Sequence, residues 1–394
     1  MTTRGRLTLA TRGSDLALRQ AAGVRETLVD RRFEVDLREV ETRGDRITDE
    51  LIHRLGKTGA FVRALDEEVL AGDADAAVHS MKDMPTDFPP DLVVAGVPER
   101  APAEDLLLTP DGASLADLPD GAVVGTSSLR RTAQLLAERP DLRVEPLRGN
   151  VDTRVEKLLA PGLQAEHERR IDAEADEETP ADSDADDGAP ESDRSDADDD
   201  APESDRSDAD DDAPEFDRSA EAWFDGLAEI ERRALERDVD TEYDAIVLAE
   251  AGLRRSGLLH RVAYERLEPT EFVPAPGQGA IAVTTRDDGD AVDRVREAVD
   301  HSRTRVETTV ERTVLEELGG GCIAPIGVHA TLQGAYVHVT ARVLSGDGDR
   351  EVRETRDLPV ENYAEEAAAF AASLADRGAD DLITEAREKA EGRE

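Results

Sequence analysis

The sequence predicts an α/β protein with open sheets, followed by a smaller α+β unit at the C-terminal end. Strand-like and helix-like segments alternate through the first 160 of 394 residues, and strand-rich segments return near the C-terminus. The length suits two or three domains of ordinary size. A βαβ order favours open sheets because parallel strands need long, usually helical, connections.

The N-terminal elements follow one another as strand and helix. Residues 6–11 (RLTLAT) predict a strand, and residues 14–31 place apolar side chains at helical spacing, with Ser14 as the cap. The next elements are a strand at 34–40, a helix at 60–72 that ends at Gly72, and strands at 74–80 and 91–98.

The same order returns further along the chain and then gives way to the smaller unit. The predicted elements are a strand at 122–128, a helix at 129–139, a strand and loop at 142–151, a helix at 152–160, a strand followed by a glycine-containing turn at 243–257, a loop and strand at 273–286, a helix at 307–322 stopped by glycines, strands in IGVHATL and AYVHVTARVLS, and a helix at 361–376.

Residues 183–218 interrupt this order with three consecutive units, SDADDGAPESDR, SDADDDAPESDR and SDADDDAPEFDR. Such a composition cannot bury a core, so we predict a solvated, disordered acidic insertion covering about 163–240. Calcium binding is the alternative, but the units lack the fixed glycine and terminal glutamate of an EF-hand loop. Residues 221–235 predict one helix, for which core packing is favoured over partner binding.

The charge excludes several classes of partner. The chain has 48 Lys+Arg against 92 Asp+Glu, a net charge of −44, which disfavours nucleic acid and anionic membranes. Many carboxylates with few lysines and aromatics resemble cytosolic proteins of halophilic archaea. No secretory or membrane-spanning segment is visible, and a single cysteine fits a reducing compartment, so we expect a cytoplasmic protein.

That cysteine, Cys322, lies in GGGCIAP (319–325). Glycines allow a bulky group to approach the backbone, which raises the question of what the thiol holds. Two other motifs follow strands. Lys82 and Asp83 lie in HSMKDMP, where the aspartate stabilises a cation or only caps a turn. GTSSLRR (125–131) is either an anion site at a helix start or a capped helix with surface arginines.

Polar and cationic side chains recur after the predicted strands, although the chain is strongly acidic. A substrate with several carboxylates would explain this local positive charge. The side chains are Arg12, Ser14, Arg130, Arg131, Arg148, Arg154, Arg254 and Arg255.

Five segments in this order, VHSMKDMP, GTSSLRR, LRGNVDTR, PGQGA and GGGCIAPIG, resemble the porphobilinogen deaminase (hydroxymethylbilane synthase) family. The likeness covers nearly all of 5–160 and 243–345. The segment LGKTGAF (55–61) departs from it, with Thr58 where a lysine is common. The resemblance implies a transferase of tetrapyrrole biosynthesis that joins four porphobilinogens into hydroxymethylbilane with loss of ammonia.

The resemblance also implies a dipyrromethane cofactor held on Cys322 by a thioether, no metal, and a monomer. Asp83 and Lys82 match the catalytic positions. The implied cofactor-binding residues are Arg130, Arg131, Ser128, Thr126, Ser127, Arg148 and Ser80, and the implied substrate-binding residues are Arg12, Ser14, Gln20, Arg148, Arg154, Arg255 and Gln278.

The family's architecture implies two open-sheet domains like those of periplasmic binding proteins and a third domain that holds the cysteine. We therefore predict domain 1 as 1–100 with 273–296, domain 2 as 101–272, and domain 3 as 297–394. Two other functions stay open: a non-catalytic anion-binding module, which needs neither Cys322 nor Asp83, and an acidic protein whose repeats recruit basic partners.

Overall fold

The computed structural model describes residues 3–40, 60–86, 88–177, 216–319 and 324–391. The chain divides into two compact units, Met1–Leu158 with Asp240–Glu394 and Leu159–Val239. Three predicted features lie wholly or largely outside the described residues: Cys322, the loop that holds Thr58, and the acidic repeats.

The described residues form three sheets and their covering helices. The strands are β1 (Gly5–Arg12), β2 (Phe33–Val40), β3 (Ala76–Ser80), β4 (Leu92–Gly96), β5 (Asp105–Leu108), β6 (Val123–Gly125), β7 (Arg143–Glu145), β8 (Ala245–Ala249), β9 (Tyr264–Leu267), β10 (Ile281–Arg286), β11 (Ile326–Gln333), β12 (Tyr336–Leu344) and β13 (Glu351–Pro359). The helices are α1 (Asp15–Asp30), α2 (Ala60–Ala71), α3 (Leu129–Glu138), α4 (Val151–Glu177), α5 (Ala220–Gly226), α6 (Glu229–Leu235), α7 (Glu250–Ser256), α8 (Ala291–Val299), α9 (Ser302–Glu317), α10 (Tyr363–Asp376) and α11 (Ala379–Glu391).

The first sheet has the order β2-β1-β3-β10-β4. Strands β2, β1 and β3 run parallel, whereas β10 is antiparallel to both of its neighbours. Leu7 and Leu9 of β1 and Leu28 of α1 are fully buried in its core. Since β1 and β3 are parallel, the loops that follow them meet at one edge of the sheet.

The second sheet, β7-β6-β8-β5-β9, repeats this plan. Strands β7, β6 and β8 are parallel, and β5 is antiparallel to both of its neighbours. Leu107, Val124 and Val247 contribute to its core. The mixed α/β fold with two open sheets is thus confirmed, although the sequence reading did not identify β5 and β9.

Two chain segments, together called the crossover, connect the sheets and lie side by side. Residues 97–104 lead from β4 to β5, and residues 268–280 lead from β9 to β10. The Ala101 amide donates to the Gly279 carbonyl oxygen at 3.2 Å. Gly279 has φ +85°, and a Cβ there would lie 2.3 Å from the Ala101 carbonyl oxygen. This crossover pair therefore needs glycine at 279.

The third sheet, β11-β12-β13, is antiparallel and forms the predicted smaller α+β unit with the helices around it. Phe370 of α10 is fully buried in its core. Its first strand packs closely on the crossover, because the Val328 amide donates to the Pro274 carbonyl oxygen at 2.9 Å. The predicted domain boundaries stay a proposal.

Two elements differ from the predictions within the first unit. Residues 250–256 form helix α7 rather than a turn, and the helix ends at Gly257 in the left-handed conformation, φ 74°. Gly252 lies inside this short helix and does not end it. Helix α9 begins at Ser302, five residues before the predicted start at 307, because His301 caps it through the Thr304 amide.

The unit Leu159–Val239 has more regular structure than the predicted insertion. Helix α4 continues to Glu177, well past the predicted end at 160, and the Arg170 guanidinium lies 4.3 Å from the Phe216 ring centroid and 5.3 Å from that of Trp223. The single helix predicted at 221–235 is two helices, α5 and α6. The chain is extended at Leu227, and the Ala228 amide donates to Glu231 Oε2, which starts α6.

Within the described ranges, no helix has both the length and the apolar character that a membrane span requires.

Candidate active site

The predicted catalytic pair lies on a single 3-10 turn, Met81–Asp83, directly after β3. The Met81 amide donates to the Ala280 carbonyl oxygen at 3.1 Å, which ties the turn to the crossover. The Lys82 side chain is half-buried and Asp83 is exposed. The turn thus presents an ammonium and a carboxylate at the edge of the sheet where ligands bind in such folds.

The ammonium of Lys82 is held in a partly desolvated, positively charged environment. Burial lowers the pKa of Lys82 to about 8; Asp83 and Asp105 act in the opposite direction, while Arg131 and Arg130 add repulsion. Lys82 is therefore close enough to the helix-start arginines of the second sheet to interact with them. The structure brings two motifs together that lie about 45 residues apart in the chain.

Arg130 and Arg131 share one buried carboxylate, Asp105, at the start of β5. Arg130 Nη2 lies 2.7 Å from Asp105 Oδ2, and Arg131 Nη2 lies 2.7 Å from Oδ1. Arg130 also donates to the Val273 carbonyl, and Arg131 to the Val247 carbonyl. Burial alone would raise the pKa of Asp105, but the two guanidinium groups hold it well below its usual range.

These contacts give Arg130 and Arg131 a structural role. One interpretation of GTSSLRR placed both arginines on the surface, but both side chains are buried and donate hydrogen bonds to protein acceptors. The contacts fix the two guanidinium planes at the start of α3. Their predicted role as cofactor ligands stays a prediction.

Arg154 joins the same group from the first turns of α4. Its Nε donates to the Gly149 carbonyl oxygen at 2.9 Å. The pKa of Arg154 is lowered to about 10, chiefly by burial, with repulsion from Arg131 contributing and Asp83 acting in the opposite direction. Arg154 therefore lies within electrostatic reach of the catalytic turn, so four cations and two carboxylates share one region.

The crossover supplies Gln278 to this region, and Arg255 of α7 contacts the crossover. Gln278 Nε2 donates to the Ala103 carbonyl at 2.6 Å and to Asp105 Oδ1 at 2.9 Å. Its Oε1 is buried and has no hydrogen-bond partner among the described residues. Arg255 Nη2 donates to the Gly279 carbonyl at 2.7 Å. A buried acceptor without a donor suits a ligand that carries an N–H group.

The predicted hydroxyl ligands shape the helix starts. Ser14 caps α1 and Ser128 caps α3, each through its side-chain oxygen. Ser127 Oγ donates to the Leu147 carbonyl at 2.7 Å, and Thr126 Oγ1 accepts from the Ser128 amide at 3.2 Å. These bonds orient the helix N-termini toward the strand ends, where backbone N–H groups favour an anion.

The other predicted ligands lie at or near strand ends, except one. Arg12 ends β1, Ser80 ends β3, and Arg148 lies between β7 and α4; all three are half-buried. Gln20 is buried inside α1, beyond its first turn, and packs with the core face of that helix. Its predicted substrate contact is untested.

Cys322, the predicted attachment residue, lies outside the described residues. The described chain reaches it from α9 through Gly319, which has φ 59°, and continues from the buried Ala324 into β11. Helix α9 therefore ends shortly before Cys322 in the chain.

Four charged residues that contact the site or the segments beside it were not singled out from the sequence. Asp105 pairs with Arg130 and Arg131, Arg100 pairs with Glu311, Glu311 accepts from the Gly277 amide, and Arg312 donates to the Pro85 carbonyl. Asp105 could have been identified, because a carboxylate at the head of the apolar run DLLL signals a buried, paired charge. No local pattern reveals the pair of Arg100 and Glu311, because 211 residues separate them.

Two models of one protein family match most of the chain. The family model described as "Porphobilinogen deaminase, dipyromethane cofactor binding domain" matches residues 7–167 and 228–294, and that described as "Porphobilinogen deaminase, C-terminal domain" matches residues 306–377.

Relatives match over nearly the whole chain. A "Probable porphobilinogen deaminase" of Halobacterium salinarum is 57% identical over 97% of this chain and 98% of its own length. One of Methanococcoides burtonii is 37% identical over 96% of each chain. Among solved structures, the methionine binding protein MetQ aligns with a TM-score of 0.33 and 11% identity, covering 74% of this chain and 89% of its own.

Proposed function

The chain belongs to the porphobilinogen deaminase family, and we propose that it condenses four porphobilinogen molecules head to tail, releasing one ammonia per ring, and that water then hydrolyses the four-ring product from the cofactor as hydroxymethylbilane. The activity is that of a transferase of tetrapyrrole biosynthesis, on the route to haem and cobalamin. The observation that supports it most strongly is the meeting of Lys82 and Asp83 with Arg131 and Arg154 at the strand ends of two sheets.

The residues fit a dipyrromethane cofactor. Its two rings carry acetate and propionate groups, which match guanidinium and ammonium donors, and its pyrrole N–H groups match a carboxylate or amide oxygen. Gln278 Oε1 is a buried acceptor with no hydrogen-bond partner among the described residues. We propose that Cys322 holds the group through a thioether. When bound, the group would supply the free pyrrole α-carbon to which the first ring is joined; each later ring is joined to the ring added before it.

We assign the catalytic role to Asp83. When the aminomethyl carbon of porphobilinogen loses ammonia, the C–N bond breaks and positive charge develops on the ring. The Asp83 carboxylate would stabilise this cation and accept a hydrogen bond from the ring N–H. After the new C–C bond forms, the attacking carbon would pass its proton to the Asp83 carboxylate, which releases it to solvent. Lys82 stands beside Asp83, where it would hold a substrate carboxylate.

We propose that the remaining cationic and helix-start groups hold the side-chain carboxylates of the growing chain. This polyanion explains why an acidic protein gathers positive charge here. The proposed ligands are Arg12, Ser14, Gln20, Ser80, Thr126, Ser127, Ser128, Arg130, Arg131, Arg148, Arg154, Arg255 and Gln278. We further propose that the enzyme acts as a monomer in the cytoplasm.

Asp83→Asn tests the proposal. The variant keeps the size and exposure of the side chain but loses its charge, so kcat for hydroxymethylbilane formation should fall by about 10²- to 10³-fold. The thermal unfolding midpoint should change little, because Asp83 is exposed. Asp91→Asn, at an exposed position in the same sheet domain, is the matched control and should keep full turnover.

The proposal fails if the wild-type holoenzyme forms no hydroxymethylbilane from porphobilinogen. The catalytic assignment alone fails if Asp83→Asn turns over at the rate of Asp91→Asn.

A further inference from the structure

Arg312, on α9, contacts the backbone around the 3-10 turn that holds Lys82 and Asp83, called here the catalytic turn. Its Nη2 lies 2.7 Å from the Pro85 carbonyl oxygen, and its Nη1 lies 3.3 Å from the Met84 carbonyl oxygen and 3.5 Å from that of Met81. The half-buried guanidinium thus contacts three backbone carbonyls around Asp83, one before it in the chain and two after it. Hydrogen bonds from a charged donor are stronger than neutral ones, so this contact restrains the turn.

The neighbouring residue, Glu311, fixes the base from which Arg312 extends. The Glu311 carboxylate is fully buried and forms a bidentate pair with Arg100, at 2.7 and 3.0 Å. It also accepts hydrogen bonds from the Gly277 amide at 2.7 Å and the Ala330 amide at 2.8 Å. Helix α9 is therefore locked to the crossover and to β11, so the Arg312 stem has little freedom.

The turn itself needs such support. A single 3-10 turn has few internal hydrogen bonds and poor hydrogen-bond geometry, and its last carbonyls have no partner within the turn. The Met84 amide donates to Met81 at 3.1 Å, and Ala280 accepts from the Met81 amide at 3.1 Å. On the downstream side of the turn, the Met84 and Pro85 carbonyls accept hydrogen bonds from Arg312.

We propose that Arg312 is a positioning residue for Asp83. It orients Asp83 through hydrogen bonds to the backbone carbonyls of residues 81, 84 and 85. The inference deepens the proposed function and rests on it for its kinetic consequence. It also links two parts of the reaction, because the helix that leads to Cys322 sets the position of the catalytic carboxylate.

Arg312→Met tests this role. Methionine keeps the length and the apolar stem but removes every donor. We expect kcat to fall by about 10- to 100-fold, because a shift of about 1 Å at a catalytic group costs this much. KM should change less than about threefold, because the substrate ligands stay in place. Arg312→Lys, which keeps the charge but not the fork, should recover part of kcat.

Arg305→Met is the matched control on the same helix. Arg305 pairs with Asp300 and donates to the Ala95 carbonyl at 3.0 Å, so it also joins α9 to the first sheet but does not contact residues 81–85. A general loss of packing would affect both variants alike. The positioning role predicts a fall in kcat for Arg312→Met alone, at matched thermal midpoints.

Amide hydrogen exchange of residues 80–86 in the purified holoenzyme tests the inference without turnover. Exchange there should accelerate at least about tenfold in Arg312→Met and stay at the wild-type rate in Arg305→Met. Equal exchange in both variants would overturn the positioning role, even if the wild type proved inactive. If Arg312→Met fails to fold, Arg312→Gln, which removes the charge, serves in its place, and unchanged exchange and kcat in that variant would refute the proposal.

Discussion

The charged side chains of the site differ in their burial and in the charged groups around them. Lys82 is partly desolvated and lies near two arginines, whereas Asp105 is buried and neutralised by the same two arginines. Asp105 therefore has a structural role, because it fixes Arg130 and Arg131. Lys82, by contrast, changes its protonation state within the pH range of an activity assay.

Lys82 gives a prediction for pH dependence. Its pKa is lowered to about 8, chiefly by burial, so the ammonium form predominates below this pH and is lost as the pH rises through it. Since a neutral amine binds a carboxylate poorly, kcat/KM should fall above pH of about 8. In Lys82→Arg the guanidinium stays charged, and this fall should be absent.

The measurement is kcat/KM against pH at constant salt for the wild type, Lys82→Arg and Lys389→Arg. Lys389 is an exposed residue paired with Glu385 and serves as the control. Titration of the substrate affects all three proteins equally. The assignment is wrong if the alkaline limb of Lys82→Arg matches that of the wild type.

The sequence motifs predicted where these residues lie on the strands and helices, but not which groups they contact. Ser14 caps α1 as predicted, since capping depends on local spacing; Ser128 caps α3, for which a capped helix was one of two alternatives. The environment of Arg130 and Arg131 could not be predicted, because it depends on Asp105 and on strands paired from distant parts of the chain.

At the scale of secondary-structure elements, the crossover pair is central to the site. It tethers the turn that holds Asp83, supplies Gln278, and receives contacts from Arg255 and Glu311. The two sheets therefore meet where the chain crosses between them twice, and the conformation of the 275–280 segment sets the position of groups from both sheets.

Gly279→Ala tests the importance of this segment. The added Cβ would lie 2.3 Å from the Ala101 carbonyl oxygen at φ +85°, so backbone must move. We expect the free energy of unfolding to fall by about 2 to 4 kcal/mol, from strain and clash together. Chemical denaturation at fixed salt gives this value.

Gly121→Ala separates the two causes. Gly121 has a similar φ of +75°, but nothing lies within 4 Å of the Cβ position. Its cost should therefore be the conformational part alone, about 1 kcal/mol. Equal losses in the two variants would show that close packing at the crossover contributes nothing.

Local periodicity predicted most parallel strands and their helices, such as β1, α1, β3 and α3. It did not predict β5, β9 or β13, because short or solvent-facing antiparallel strands lack the surrounding βαβ order. The extent of α4 was also missed. Its stretch beyond 160 is rich in polar residues and gains support from pairs such as Glu166 with Arg170 and from the Trp223 ring.

For the whole molecule, the net charge of −44 opposes an anionic substrate. Surface carboxylates far from the site are screened at high ionic strength, since the Debye length falls from about 10 Å at 0.1 M salt to about 3 Å at 1 M. The close contacts of buried arginines are screened much less. High salt should therefore favour substrate binding.

We expect kcat/KM to rise several-fold between about 0.1 M and 1 M or more of KCl. Circular dichroism at each salt concentration shows whether the fold is retained, which separates screening from refolding. Highest turnover in dilute buffer, with the fold intact, would contradict this account of the charge.

The central proposal is that a pyrrole primer is bound covalently to the thiol of Cys322. Intact mass spectrometry of the protein, purified from a host that makes haem precursors, tests it most directly. We predict a mass above that of the sequence by one dipyrromethane group, mapped to Cys322 by peptide analysis and absent in Cys322→Ala. An unmodified wild-type chain that still condenses porphobilinogen would contradict the claim.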